Sequence, residues 1–156
     1  MTEYRVSYVS PVGAFSICER NGKICGLHPA SEAEMNLCEF TPLLHRMVIL
    51  LDDYFSGCPV DFSSVPLELS ASDFRIRVWD ELRNIPFGEV RTYGQIATVL
   101  GNSNAARAVG GACHANPVMI VVPCHRVIGA GGALSGFAFG KEMKRRLLNL
   151  EKSRRE

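Results

Sequence analysis

The sequence predicts a mixed α/β (α+β) chain, strand-rich in its first half and mostly helical in its second. Three observations predict it. Asn21-Gly22 is a strong two-residue hairpin signal set between short extended runs. Apolar residues take helical spacing after Thr41 and again after Ser72. The balance of charge reverses near the middle of the chain. At 156 residues the chain has room for one ordinary domain or two small ones. The expected division is a small α/β domain with a trailing linker over residues 1–70, packed on a mostly helical domain over residues 71–156.

The elements follow in order. Residues 4–9 alternate loosely, Pro11-Val12-Gly13 turns, residues 14–18 extend again, and residues 24–27 return after the Asn21-Gly22 turn. Leu43, Leu44, Met47, Leu50, Leu51 and Tyr54 recur at helical spacing over 41–55, with Thr41 as N-cap and Pro42 in the first turn. Residues 58–70, rich in proline and serine, read as a linker or extended arm. Phe74, Val78, Leu82 and Ile85 then line one helical face, closed by Pro86-Phe87-Gly88. A helix over 93–100 has Thr92 as N-cap, Gly101-Asn102 turns, and a further helix is expected from about Ser103 to Cys113. Residues 118–122 form a short buried apolar run, and residues 141–151 an amphipathic helix on Met143, Leu147, Leu148 and Leu150.

Composition narrows the function. With 47% hydrophobic and 21% charged residues the chain is globular. No stretch of about 18 consecutive apolar residues is present, so no membrane span is expected. The first residues lack the basic stretch and apolar core of a secretory signal, so the protein is expected to stay where it is made. Residues 1–73 hold 4 Lys/Arg against 10 Asp/Glu, and residues 74–156 hold 13 against 6. That split fits a basic half that meets a polyanion, and it fits equally two halves that attract each other. The 6 cysteines read as free thiols. Cys18, Cys25 and His28 resemble part of a zinc site without an evident fourth ligand, and buried cysteines account for them more simply.

Two features of the second half carry chemistry. The helices on either side of Gly101-Asn102 have the dimensions of a helix-turn-helix, and the second is built from Ala and Gly with Arg107 as its one long charged group. Such a helix can enter a DNA groove, or its small face can pack against another helix. Cys124 emerges from the apolar run between Pro123 and His125-Arg126. Positive neighbours favour a reactive thiolate there, and a buried inert cysteine is the competing reading. Adjacent side chains seldom face each other in extended backbone, so proton transfer from Cys124 to His125 calls for a tight turn or a bridging water.

Pro123-Cys124-His125-Arg126-Val127 resembles the active-site signature of the O6-alkylguanine-DNA alkyltransferases. Gly88 to Ala97 (GEVRTYGQIA), Ala105 to Gly111 (AARAVGG) and Asn116-Pro117-Val118 follow that family's order and spacing. The likeness covers residues 72–151 well and the N-terminal part loosely. It implies a repair protein that moves an alkyl group from O6-alkylguanine in DNA irreversibly to its own cysteine, once per molecule, after flipping the base. Cys124 is then the nucleophile, His125 the general base through water, and Glu151 the group that orients it. Asn116 holds the active-site turn, and Tyr93 helps rotate the nucleotide and donates a proton to the departing guanine. Arg107 takes the place of the extruded base, with Ala106, Ser103, Tyr93 and Arg126 as further DNA contacts. Met119, Phe137, Ala138 and Phe139 line the base pocket.

The resemblance implies no metal and no cofactor. Its partner is double-stranded DNA carrying O6-alkylguanine or O4-alkylthymine, met through the minor groove by a monomer, in the cytoplasm or, in a eukaryote, the nucleus. The loop Leu134 to Gly140 departs from the family pattern: Phe139 stands at a glycine position, and Phe137 where tyrosine is frequent. With Ala138 no side-chain hydroxyl reaches the guanine O6, which leaves that contact to a backbone N–H. Phe139 is expected to crowd the pocket rim against bulky adducts. Competing readings are a lesion-binding protein without transfer, a cysteine hydrolase that turns over, and a sequence-specific DNA-binding regulator.

Overall fold

Asn21 and Gly22 both adopt positive φ, 55° and 74°, the geometry a two-residue turn needs to match the twist of its strands. The turn joins β2 (Gly13–Arg20) to β3 (Lys23–Pro29), and β1 (Glu3–Ser10) pairs with the other edge of β2, giving an antiparallel sheet of order β1-β2-β3. Residues 2–134 and 137–153 are described by the structure, a computed structural model. The Ser135-Gly136 step of the expected active-site loop lies outside them.

Thr41 caps α1 (Pro42–Phe55) by accepting a hydrogen bond from Leu44 N at 3.0 Å, and Pro42 sits where its missing N–H costs nothing. α1 buries Leu44, Met47, Leu51 and Tyr54 and packs on β1 and β2, with Phe55 stacked on Tyr8 and Phe15. The expected linker is partly structural: Ile24 N donates to Pro66 O and Glu68 N to Ile24 O, so residues 66–68 extend along β3. Leu27 is engaged the same way by Pro117 O and Met119 N. One compact unit therefore comprises Met1–Leu69 together with Pro117–Val121. That return of residues 117–121 has no local signal, because an apolar run does not reveal which strand it will join.

The second unit comprises Ser70–Asn116 and Val122–Glu156. Ser72 caps α2 (Asp73–Leu82), which buries Val78, Trp79 and Leu82. Trp79 Nε1 donates to Ala112 O at 2.8 Å, fixing α2 to α4 (Ala106–His114). Thr92 and Gln95 cap α3 (Tyr93–Val99) reciprocally, each side chain bonded to the other's backbone N–H. The expected start of α4 at Ser103 is displaced to Ala106. Asn102 is the reason: its side chain accepts from Asn104 N and its carbonyl from Ala105 N, holding these residues in a turn. The strands β4 (Arg91–Thr92) and β5 (Val127–Ile128) pair in parallel, and α5 (Lys141–Ser153) follows. Among the described residues no helix is long and apolar enough to cross a membrane.

Candidate active site

The cysteine's position is set by one carbonyl. Val122 O accepts from Cys124 N at 2.8 Å across Pro123 (φ −81°, ψ 64°), an inverse γ-turn, and also from Asn116 Nδ2 at 2.8 Å. Asn116 Nδ2 donates as well to Cys124 Sγ at 3.1 Å. One amide, just beyond the end of α4, thus anchors both the turn and the sulfur. Residues Cys124–Arg126 wind into a single 3-10 turn, and all three side chains are buried. This is the tight turn that the adjacency of Cys124 and His125 demands.

A short distance before it, Ile120 holds φ 71°, with Val121 N bonded to Met119 O at 2.8 Å. A β-branched residue at positive φ with an i→i+2 bond is a strained γ-turn, and such strain concentrates at functional segments. Nothing in the residue types Val-Met-Ile-Val-Val announces it.

Glu151, on α5, is the hub behind His125. Its Oε2 meets His125 Nε2 at 2.5 Å and Arg126 Nη2 at 3.1 Å. Its Oε1 accepts from Arg126 Nε at 2.8 Å and from Gly88 N at 3.1 Å. Gly88 reaches this position with φ 83°, a conformation natural to glycine. Burial by itself would raise the Glu151 carboxyl, but His125 and Arg126 outweigh it and hold the group well below the usual carboxylate range. Burial lowers the His125 pKa, with Arg126 and Lys144 adding to the effect against the pull of Glu151. The imidazole is therefore neutral at neutral pH. Facing an ionised carboxylate, Nε2 must carry the proton, which makes Nδ1 the basic nitrogen.

Cys124 differs from the sequence expectation. Its pKa is pushed up to about 11 by burial, against the lowering effects of the Asn116 bond, the Lys144 charge and the backbone N–H groups of Cys124 and His125. Cys124 is 3% exposed and is a protonated thiol at neutral pH, not the resting thiolate its positive neighbours suggest. The cation that assists it is Lys144, since His125 is neutral and Arg126 is committed to Glu151. Lys144, on α5, is fully buried, donates to Val127 O, and stands 3.3 Å from Tyr93 Oη and 5.6 Å from the centre of the Tyr93 ring. Burial lowers its pKa, while Cys113 and Cys124 act to raise it.

Sequence reasoning missed Lys144, though a signal exists. Lys144, Leu147 and Glu151 follow the 3-4 spacing of one helical face, so a lysine and a glutamate share the apolar stripe of α5.

The expected DNA-contacting residues divide. Arg107 and Ser103 are exposed and Ala106 half-buried. Tyr93, Gly94, Ala106, Arg107, Gly110 and Ala130 surround a surface hollow of about 530 Å³. Ser103 borders another hollow with Thr98 and Val99. A Cβ on Gly110 would already touch the Tyr93 ring at 3.9 Å, so the small residue admits the ring against α4. Arg126 is corrected. It is 6% exposed, bonded to Glu151 and to Ile85 O at 2.7 Å, with its guanidinium 5.9 Å from the Phe87 ring centre. A buried, fully engaged guanidinium has no reach to a phosphate.

Met119 is fully buried and belongs to the first unit, where its N–H bonds Leu27 O. Phe137 and Phe139, half-buried, meet edge to face at 5.7 Å, with Ala138 between them. Among the described residues no group of three or more His, Cys, Asp or Glu is arranged to hold a metal ion. His28 Nδ1 lies 3.0 Å from Pro29 O.

Comparison with known proteins gives the family. Residues 73–153 match the 6-O-methylguanine DNA methyltransferase DNA-binding domain, and residues 4–69 match the ribonuclease-like domain of the same family. The methylated-DNA–protein-cysteine methyltransferase of Mycobacterium bovis is 42% identical over 158 residues, covering 99% of this chain and 94% of its own. The crystal structure of Mycobacterium tuberculosis O6-methylguanine methyltransferase is similar with a TM-score of 0.84 and 38% identity, covering 99% of this chain and 96% of that one. The structure of Mycobacterium tuberculosis OGT in complex with DNA is similar with a TM-score of 0.83 and 39% identity, over 97% of this chain and 94% of that one. With both halves matched in order and the relatives aligned over nearly their full length, the chain belongs to the 6-O-methylguanine DNA methyltransferase family.

Proposed function

We propose that this protein repairs O6-alkylguanine in double-stranded DNA by moving the alkyl group to Cys124 Sγ, once per molecule. The observation that carries the reading is the Asn116–Cys124 turn beside a neutral His125 whose Nε2–H is fixed on Glu151. Together they supply a thiol held by a donor and a base of defined tautomer. His125 Nδ1 takes the thiol proton through a water molecule. The thiolate attacks the alkyl carbon, the S–C bond forms as the C–O6 bond breaks, and the electron pair passes into the guanine ring. Tyr93 O–H gives that purine a proton. Lys144, 3.3 Å from the Tyr93 oxygen, stabilises the resulting phenolate and assists ionisation of Cys124 beforehand. The thioether has no easy route back to a thiol, so the protein is consumed.

Arg107 and the small residues of α4 fit a minor-groove approach, where close backbone contact and weak sequence readout suit a lesion at any guanine. The hollow bounded by Tyr93, Ala106, Arg107 and Gly110 is where the nucleotide turns out of the stack. The test is intact-mass analysis after incubation with a duplex containing O6-methylguanine. The expected result is a gain of one methylene at Cys124, capped at one equivalent and absent in Cys124→Ala. Repeated turnover, or no adduct on a protein that binds the duplex, overturns the reading.

A further inference from the structure

Two of the cysteines that repair leaves unused are in contact. On the β2–β3 hairpin Cys18 pairs with Gly26 and Glu19 with Ile24, so the register shifts between Cys18 and Glu19 and leaves Cys25 as the extra residue of a β-bulge. In an unbroken ladder, neighbours on one strand point to opposite faces, and Cys25 would turn away from the face that Gly26 shares with Cys18. A bulge re-aims the side chain. Here it brings Cys25 Sγ to 2.9 Å from Cys18 Sγ. Gly26 leaves the space: a Cβ there would sit 3.4 Å from Cys18 Cβ.

Two arginines and one carboxylate surround the pair. Arg5 and Arg20 flank it, both held by Glu3, with Arg20 Nε at 2.9 Å and Arg5 Nη2 at 3.1 Å from its carboxylate. Cys18 Sγ is 3.7 Å from Glu3 Oε2. Cys25 is half-buried and Cys18 buried, so a dissolved oxidant meets Cys25 before Cys18. Burial, and then the Cys25 neighbour, push the Cys18 thiol up to about 12, which keeps it protonated until a partner sulfur is activated.

We propose that Cys18 and Cys25 form a reversible dithiol–disulfide site that takes two-electron oxidation by peroxide while Cys124 stays reduced. Cys25 Sγ attacks one peroxide oxygen, the O–O bond breaks, and a sulfenic acid forms while the other oxygen leaves with the thiol proton as water. Cys18 then attacks the Cys25 sulfur. The S–S bond forms, the S–O bond breaks, and the hydroxyl leaves with the Cys18 proton as water. The two electrons lost by the sulfurs reduce the peroxide oxygens. From 2.9 Å the sulfurs close to a bond of about 2.05 Å by side-chain rotation. Cys124 is 3% exposed and protonated, so it meets peroxide more slowly than the half-buried Cys25.

The test treats the full chain with equimolar hydrogen peroxide. Arg20 and Lys23 stand between the two cysteines, so trypsin separates them into peptides 6–20 and 24–46. The expected result is an intact mass lower by two hydrogens, these peptides joined until a thiol reductant is added, and undiminished alkyl transfer by the oxidised protein. Peptide 24–46 also holds Cys38, so Cys25→Ser, at a half-buried position tolerant of serine, must abolish the link. A link that survives in Cys25→Ser, sulfinic acid at Cys25 without a link, or oxidation of Cys124 ahead of the pair each overturns the proposal. Cys38→Ser, at an exposed position, must keep the link, and its loss there overturns the proposal as well.

Discussion

Replacing Glu151 with glutamine tests the centre of the site, because the four contacts named above all come from donors. His125 Nε2 and Arg126 Nη2 face Oε2, and Arg126 Nε and Gly88 N face Oε1. A carboxylate accepts from all four. An amide carries its own N–H groups at one end, so each of its two orientations sets donors against donors. With the amide nitrogen toward His125, the imidazole must accept at Nε2 and protonate Nδ1, which removes the base. With it toward Gly88, the imidazole keeps its tautomer but Arg126 faces a donor. Either way a guanidinium that is 7% exposed loses its counter-charge.

Removing one partner of such a buried pair costs about 3–5 kcal/mol, and a wrong imidazole tautomer costs on the order of 10⁴ in rate in a comparable triad. Trp79 is the chain's single tryptophan, lies in the same unit and is 2% exposed, so its fluorescence in urea unfolding reads the stability directly. Single-turnover transfer from an O6-methylguanine duplex reads the chemistry. Adding Arg126→Met to Glu151→Gln removes the stranded charge, so the double variant is expected to be more stable than the single one while remaining slow. A Glu151→Gln protein with the wild-type unfolding midpoint and rate refutes the hub, and a double variant less stable than the single one refutes the charge argument.

Lys144→Met removes the cation that lowers the Cys124 pKa, so transfer slows at neutral pH and its pH–rate profile moves to higher pH; an unshifted profile assigns Lys144 to packing alone. Cys124 titrates at about 11 in the folded chain against a reference value of 9.0. Its raised pKa therefore gives stability that is full below pH 9 and lost as pH rises from 9 to 11. The loss amounts to about 3 kcal/mol, measured as a flatter alkaline limb of urea unfolding in Cys124→Ala; parallel limbs sink this. Phe139→Gly removes the ring that packs on Phe137 and is expected to raise benzyl transfer relative to methyl transfer, whereas an unchanged ratio of the two rates removes Phe139 from adduct selection.

Local chemistry was legible from the residues. The turn at Asn21-Gly22, the caps at Thr41 and Thr92, and the amphipathic α5 depend on dihedral preference and nearest neighbours, and each stands within a residue or two of its expected place. The family, too, could be read from linked motifs in order. The start of α4 was misplaced because Asn102 competes for the backbone through its own side chain.

Sequence by itself determined which groups are present, Cys124, His125, Asn116, Tyr93 and Glu151, and the helices and turns that carry them. Only the tertiary structure decided their charge states and allegiances. Desolvation and long-range pairing depend on what other segments place around a group, so residue type left Cys124 open between thiolate and buried thiol, and the family resemblance made Arg126 a DNA contact. The fold makes Cys124 a buried thiol, gives Arg126 to Glu151 across 25 residues of chain, and brings Lys144 to Tyr93 across 51.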